Sequence, residues 1–171
     1  MGHSVKLFAG TASSLRPFLE LSPEARLYLL TQDADIAVLP YDEAVHDALH
    51  RRFGTGDWPK NQRLRLSTTD QTFAAECSAR SPLAYLETDY FGGTGWQSAA
   101  LWQLGRLAVG PTSLQTGGDS PTRAPSLWPI NVVLRALGVR ASGDTDEFST
   151  FGIDLYRSND DIHEQAYPLR L

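Results

Sequence analysis

Apolar positions along this chain follow two rhythms, and the switches between them mark out the elements. Val5 to Ala9 reads as a first strand, followed by a Thr/Ser cluster and an amphipathic piece from Leu15 to Leu21. Pro17 limits any helix there to a short one starting near it. Arg26 to Thr31 and Ile36 to Leu39 are β-prone runs around Gln32-Asp33-Ala34-Asp35, the pattern of a hairpin. From Tyr41 the period lengthens. Tyr41, Val45, Ala48, Leu49 and Phe53 fall on one helical stripe, Asp42, Glu43, His46, Asp47 and His50 fall opposite, and Gly54 ends the pattern. Residues 54–66 read as a loop leading to a short extended piece. A second helix is expected from Thr68, whose hydroxyl caps the first turn while Gln71 reaches back, and this turns Phe73, Ala74 and Cys77 inward.

The middle of the chain predicts a three-strand meander. Leu83 to Phe91 and Trp96 to Gln103 flank the glycine-rich Gly92-Gly93-Thr94-Gly95, and Leu104-Gly105 offers a tight reversal into Arg106 to Val109. Residues 112–126, rich in Thr, Ser, Pro and Gly, read as a mobile loop inside one domain, because too little chain follows to build a second core. Ser126 is expected to cap a further helix with Pro129 in its first turn, a buried stripe of Leu127, Ile130, Val133, Leu134 and Leu137, and Gly138 at its close. Short elements return between Phe148 and Tyr156. Hairpins interspersed with about three packed helices predict an α+β fold, a single domain over 1–171 built mainly on antiparallel sheet. A doubly wound parallel sheet needs a regular strand–helix alternation that is absent.

Composition narrows the setting. The 171 residues are 42% hydrophobic and 20% charged, ordinary globular usage. The single cysteine, Cys77, excludes an internal disulfide framework and disfavours a Cys-rich zinc site. No apolar run approaches the roughly 18–20 residues that span a bilayer, and Met1-Gly2-His3-Ser4 has no signal-peptide character. A cytoplasmic protein without a membrane partner is the expectation. Fifteen basic residues against twenty acidic ones leave a formal charge of −5, which opposes nucleic acid and favours a basic partner. The charge is uneven. Arg51, Arg52, Lys60, Arg63 and Arg65 crowd one stretch, while Asp144, Asp146, Glu147, Asp154, Asp160, Asp161 and Glu164 dominate the C-terminal quarter.

Candidate chemistry centres on Glu87 and Asp89. Strand alternation places both carboxylates on one face about 7 Å apart, with Tyr85, Phe91, Trp96 and Trp102 as an aromatic wall. Two such groups can bind a cation, divide acid and base roles, or face water. Gly92-Gly93-Thr94-Gly95 lacks the spacing, the lysine and the following helix of a phosphate cradle, so its glycines are read as turn residues. His46 and His50 have the spacing of a two-histidine metal site, with Asp42 or Glu43 on the same face. The base of the His-Glu-x-x-His pattern is missing, and the group is read as a solvated helix face, with no metal or cofactor assigned. Cys77 reads as a small buried hydrophobe, His3 and His163 take no role, and no serine sits in a nucleophile elbow.

The segment Glu87-Thr88-Asp89-Tyr90-Phe91-Gly92-Gly93-Thr94-Gly95-Trp96-Gln97-Ser98-Ala99-Ala100-Leu101-Trp102 resembles an uncharacterised family of small bacterial proteins with a Glu-x-Asp/Glu-Tyr-Phe-Gly-Gly-x-Gly-x-Gln-x-Ala-Ala-x-Trp motif. The likeness extends to Leu39-Pro40, to Pro129-Ile130-Asn131 with Leu134 and Gly138, and to Asp146-Glu147-Phe148. Trp96 stands where the family more often has a small or acidic residue. The resemblance implies no chemistry. By analogy with small acidic bacterial proteins that plug toxins, the leading expectation is a non-catalytic, immunity- or antitoxin-like protein that occludes a basic toxin domain. Its binding surface is expected at Glu87, Asp89, Tyr90, Trp96, Asp144, Asp146 and Glu147. The alternative is a small hydrolase or metal-dependent enzyme using Glu87 and Asp89 with His46.

Overall fold

The computed structural model describes residues 2–60, 64–117 and 124–170. In chain order the elements are β1 (Gly2–Gly10), α1 (Ala12–Leu21), β2 (Tyr28–Leu29), β3 (Ala37–Pro40), α2 (Glu43–Phe53), α3 (Thr68–Cys77), β4 (Leu83–Phe91), β5 (Thr94–Gln103) and β6 (Arg106–Thr116). They continue with a 3-10 turn (Pro125–Leu127), α4 (Pro129–Leu137), α5 (Glu147–Phe151), a second 3-10 turn (Ile153–Leu155), α6 (Asn159–Gln165) and β7 (Tyr167–Pro168). One antiparallel sheet in the order β6-β5-β4-β1-β3-β2-β7 runs through the centre, so the fold is α+β.

Alternation along the two central strands divides the molecule into three layers. Val5, Leu7 and Ala9 of β1 with Ala84 and Leu86 of β4 face a core completed by Ile130, Val133 and Leu134 of α4, Phe151 of α5 and Ile162 of α6. Phe8 with Leu83 and Tyr85 faces the other core, where Leu15 and Phe18 of α1, Val45 and Leu49 of α2, and Phe73 and Ala74 of α3 pack. Both sides of the sheet are therefore covered, which is why Leu83–Leu86 of β4 and Ala99–Trp102 of β5 are unbroken apolar runs.

Several boundaries depart from the sequence reading, each for a local reason. Among the described residues six helices form, against the expected three or so, because short turns at 147–151 and 159–165 each carry their own cap: the side chains of Asp146 and Ser158 accept the N–H groups of Ser149 and Asp161. Helix α1 starts at Ala12, with Thr11 as its cap, and runs through Pro17. Helix α3 is capped by Ser67 and not Thr68. The Ser67 Oγ accepts from Asp70 N at 3.2 Å and Asp70 Oδ2 accepts from Ser67 N at 2.6 Å, a capping box closed by Asp70, not by Gln71. Helix α4 begins at Pro129 after Trp128, so Ser126 is not its cap, and Leu127 lies in the 3-10 turn with 61% of its surface exposed, outside the buried stripe. Strand β6 extends to Thr116, which takes residues 112–116 out of the expected mobile loop; residues 118–123 of that loop lie outside the described residues, as does Arg63.

The expected meander is present. Gly92 and Gly93 have φ of +59° and +83°, which suits a two-residue hairpin turn. Gly95 is needed for a different reason, since a Cβ there would run into the main chain of Asp89 and Tyr90 on the neighbouring strand.

Candidate functional site

The sheet register sets the site. On the face covered by α1, α2 and α3, Lys6, Glu87 and Ser98 form one cross-strand rung, and Ser4, Asp89 and Trp96 form the next. Here the apolar layer of Phe8 and Tyr85 gives way to charge. The extended segment 64–67 lies across these rungs, with Leu64 and Leu66 buried in the core beneath α1–α3.

Arg65 organises this end of the sheet. Its backbone N–H donates to Glu87 Oε2 at 3.3 Å, its Nε lies 3.4 Å from Glu87 Oε1, and its Nη2 donates to Asp89 Oδ2 at 3.0 Å. Its guanidinium carbon stands 4.9 Å from the centre of the Trp96 ring, a cation–π distance. The two carboxylates thus share a face, as strand alternation requires. Glu87, however, is only 1% exposed, so it is not part of an accessible acidic surface. It also accepts the Tyr85 hydroxyl at 3.1 Å, while its Oε1 has no hydrogen-bond donor among the described residues. Burial pushes the Glu87 carboxyl above the usual range, against the opposing pull of the Arg65 N–H and the Lys6 and Arg65 charges.

The other expected binding residues lie elsewhere. Tyr90 projects to the opposite side of the sheet, where its hydroxyl accepts from Gln97 Nε2 at 2.7 Å; Gln97 Oε1 in turn accepts from Ile130 N at 3.0 Å, serving the open first turn of α4. Asp146 accepts from Ser149 N and from Asn131 Nδ2, both at 2.9 Å. Glu147 receives Arg135 Nε at 2.7 Å, and that bond holds its carboxyl below the usual range. Asp144 is exposed. The sheet therefore separates Glu87, Asp89 and Trp96 from Tyr90, Asp146 and Glu147, and the expected set does not form one surface.

A second polar group joins the His46 and His50 pair to Asp70, a residue to which the sequence pattern assigns no role. The Asp70 side chain is fully buried and accepts the Tyr41 hydroxyl at 2.6 Å, Ser67 N at 2.6 Å and His50 Nε2 at 2.9 Å. Ser67 Oγ stands 3.2 Å from the same His50 nitrogen. His50 is thus turned inward, which corrects the reading of a solvated face. His46 lies one turn before it with ring centroids 3.9 Å apart, and Trp58 stacks at 6.3 Å over His46. The histidines meet Asp70 and not Glu87 or Asp89, both of which Arg65 occupies. Desolvation, and then the Asp70 charge, pushes the Tyr41 hydroxyl far above its ordinary pKa. The traces of this group in the sequence are the four-residue spacing of His46 and His50 and Ser67-x-x-Asp70, a capping-box spacing with Asp in place of Glu.

A third group joins the C-terminus to α2. Asp42 accepts Asn159 Nδ2 at 2.6 Å and pairs with His163 Nε2 at 2.6 Å, and His163 Nδ1 lies 2.9 Å from the Tyr28 hydroxyl. The three groups surround a cavity of about 390 Å³ lined by Lys6, Tyr41, Asp42, Glu43, His46, Asp47, Trp58 and Arg65. Larger hollows beside α1 and beside α4 lie away from these clusters.

Comparison with protein-family models, with curated proteins and with solved structures finds no match to this chain. Among the described residues, no helix is long and apolar enough to cross a membrane.

Proposed function

We propose that this chain is a non-catalytic binding protein, of the immunity or antitoxin kind, that occludes a basic partner domain with an acidic surface centred on the seam between α2 and α6. The observation that supports it is the pair of contacts from Asp42 to Asn159 and His163, which brings the first turns of α2 beside a helix rich in acid. Glu43 and Asp47 of α2 and Asp160 and Glu164 of α6 are all exposed there, and Trp58, half-exposed, supplies a large ring at the edge of the cavity. Exposed acids accelerate encounter with a basic partner, and an aromatic anchor supplies the packed centre of an interface. Glu87 and Asp89 act through Arg65, which they hold against Trp96 at the cavity wall. An enzyme centred on Glu87, Asp89 and His46 has less support, because Arg65 takes both carboxylates and His46 bonds to neither.

The test is co-expression with the product of the adjacent reading frame. The expected result is a complex that weakens steeply with salt and weakens further in the Glu43→Lys/Asp47→Lys/Asp160→Lys variant, with an unchanged circular dichroism spectrum. Failure to form a complex at low salt, or a complex indifferent to the triple reversal, removes this reading.

A further inference from the structure

The tertiary structure brings together three potential metal donors that lie on two helices. His46 and His50 stand one turn apart on α2, and Asp70 reaches them from the first turn of α3. One ring nitrogen from each histidine and one oxygen from Asp70 all lie within 4.8 Å of one another. We propose that His46, His50 and Asp70 bind a single divalent ion of the Zn²⁺ class, with the remaining coordination positions open to the cavity beside Lys6, Trp58 and Arg65.

The donor chemistry suits that ion. Two imidazole nitrogens and a carboxylate oxygen are borderline ligands of the type that hold Zn²⁺ in sites with an open position. At bond lengths of about 2.0–2.1 Å, tetrahedral donors sit about 3.3 Å apart. His50 Nε2 and Asp70 Oδ1 are already 2.9 Å apart, so closure asks chiefly for a rotation of His46, which borders the cavity.

The surroundings of the donors point the same way. The Tyr41 hydroxyl and Ser67 N–H hold the two oxygens of Asp70 from behind, and Asp47 Oδ1 lies 3.3 Å from His46 Nδ1. Ligands oriented by outer hydrogen bonds to carboxylate, hydroxyl and main chain are the usual construction of a metal centre. The side chain of Asp70 is wholly removed from water, where a negative charge gains most from a nearby cation. The two imidazole centroids lie 3.9 Å apart, with the ring planes tilted by 48°. His50 is held by Asp70 and Ser67, and His46 by Asp47 and the Trp58 ring; a shared ion would draw the two imidazoles together on Asp70.

This site adjoins the acidic recognition surface and shares Asp47 and Trp58 with it, but it does not rest on that reading, and metal binding is measured directly. The experiment uses the full chain, stripped with a chelator and titrated with Zn²⁺ against a chromophoric competitor, and in parallel with Co²⁺ followed by visible absorption. One equivalent should bind, with Co²⁺ bands of a four- or five-coordinate site. His46→Gln leaves every hydrogen bond to Asp70 in place and should weaken binding by more than about tenfold; His50→Gln should do the same. His163→Gln, in the separate pair with Asp42, should leave affinity unchanged. Absence of stoichiometric binding, affinity unchanged by His46→Gln, or equal loss in His163→Gln would each overturn the proposal.

Discussion

His163 Nε2 lies 2.6 Å from Asp42 Oδ2, tying the last helix to the residue that opens α2. Asp42 occupies the N-cap position of α2 yet makes no capping bond with its side chain, because Asn159 and His163 take both of its oxygens. The contact is about one-third exposed, which screens the charge part of it. Asp42→Ala is therefore expected to lower unfolding stability by about 1–2 kcal/mol through the lost hydrogen bonds. Hydrogen exchange should show the loss concentrated in residues 158–168, with α4 unaffected.

Arg65 bridges a fully buried carboxylate and a part-exposed one. Arg65→Met leaves buried Glu87 with only the neighbouring Lys6 charge and should cost about 3 kcal/mol, the lower end for breaking a buried pair because the guanidinium is half in water and Lys6 remains. Adding Glu87→Gln removes the orphaned charge and should restore most of that loss. A double-mutant cycle in urea measures the coupling, and additive losses would show that the pair does not act as a unit.

The same carboxylate gives the protein a pH signature opposite to that of most native acids. Burial raises the Glu87 pKa in the folded state, so the folded chain holds this proton more tightly than the unfolded one. Its contribution is fully favourable below the ordinary glutamate range and is lost as pH rises through the raised value. Glu147 runs the other way. Its pKa is lowered by the Arg135 bond, so its contribution is present above the ordinary range and is lost as pH falls through the lowered value. The Tm of Glu87→Gln minus that of wild type should grow as pH rises from the ordinary carboxylate range towards neutral, whereas the deficit of Glu147→Gln should shrink as pH falls from that range through the lowered value. Flat differences for both would refute the assignment.

Cys77 sits on the apolar side of α3 against the core beneath the first three helices. Burial pushes its thiol up to about 12. Alkylation at pH 8 is expected to be roughly a thousandfold slower than for a free thiol, from the thiolate fraction alone, and to recover on unfolding. Mass spectrometry after timed iodoacetamide exposure measures this directly.

The meander, the central helices and the shared face of Glu87 and Asp89 were legible in the sequence because they rest on local periodicity. Strand alternation alone puts residues two apart on one side. Burial is different. Nothing near Glu87 in the chain indicates that Arg65, more than twenty positions earlier, lays its main chain across it. Tyr90 parts from Asp89 for a related reason: adjacent in sequence, it faces the opposite layer, where α4 supplies Ile130 N as an end point for the Tyr90–Gln97 chain. Asp70, in sequence, is only one acid in the first turn of a helix, and its burial against Tyr41 and His50 comes from the packing of α2 on α3.

From the chain alone come the α+β class, the hairpins, the helical stripes and the acidic balance, since each depends on which residue types recur within a few positions. Only the folded structure decides which charges meet. Arg65 with Glu87, Asp70 with His50, and Asp42 with His163 are separated by long stretches of chain, and each is selected by which elements the sheet brings together. The desolvation that sets their chemistry is a property of the packed layers, which no local stretch of sequence contains.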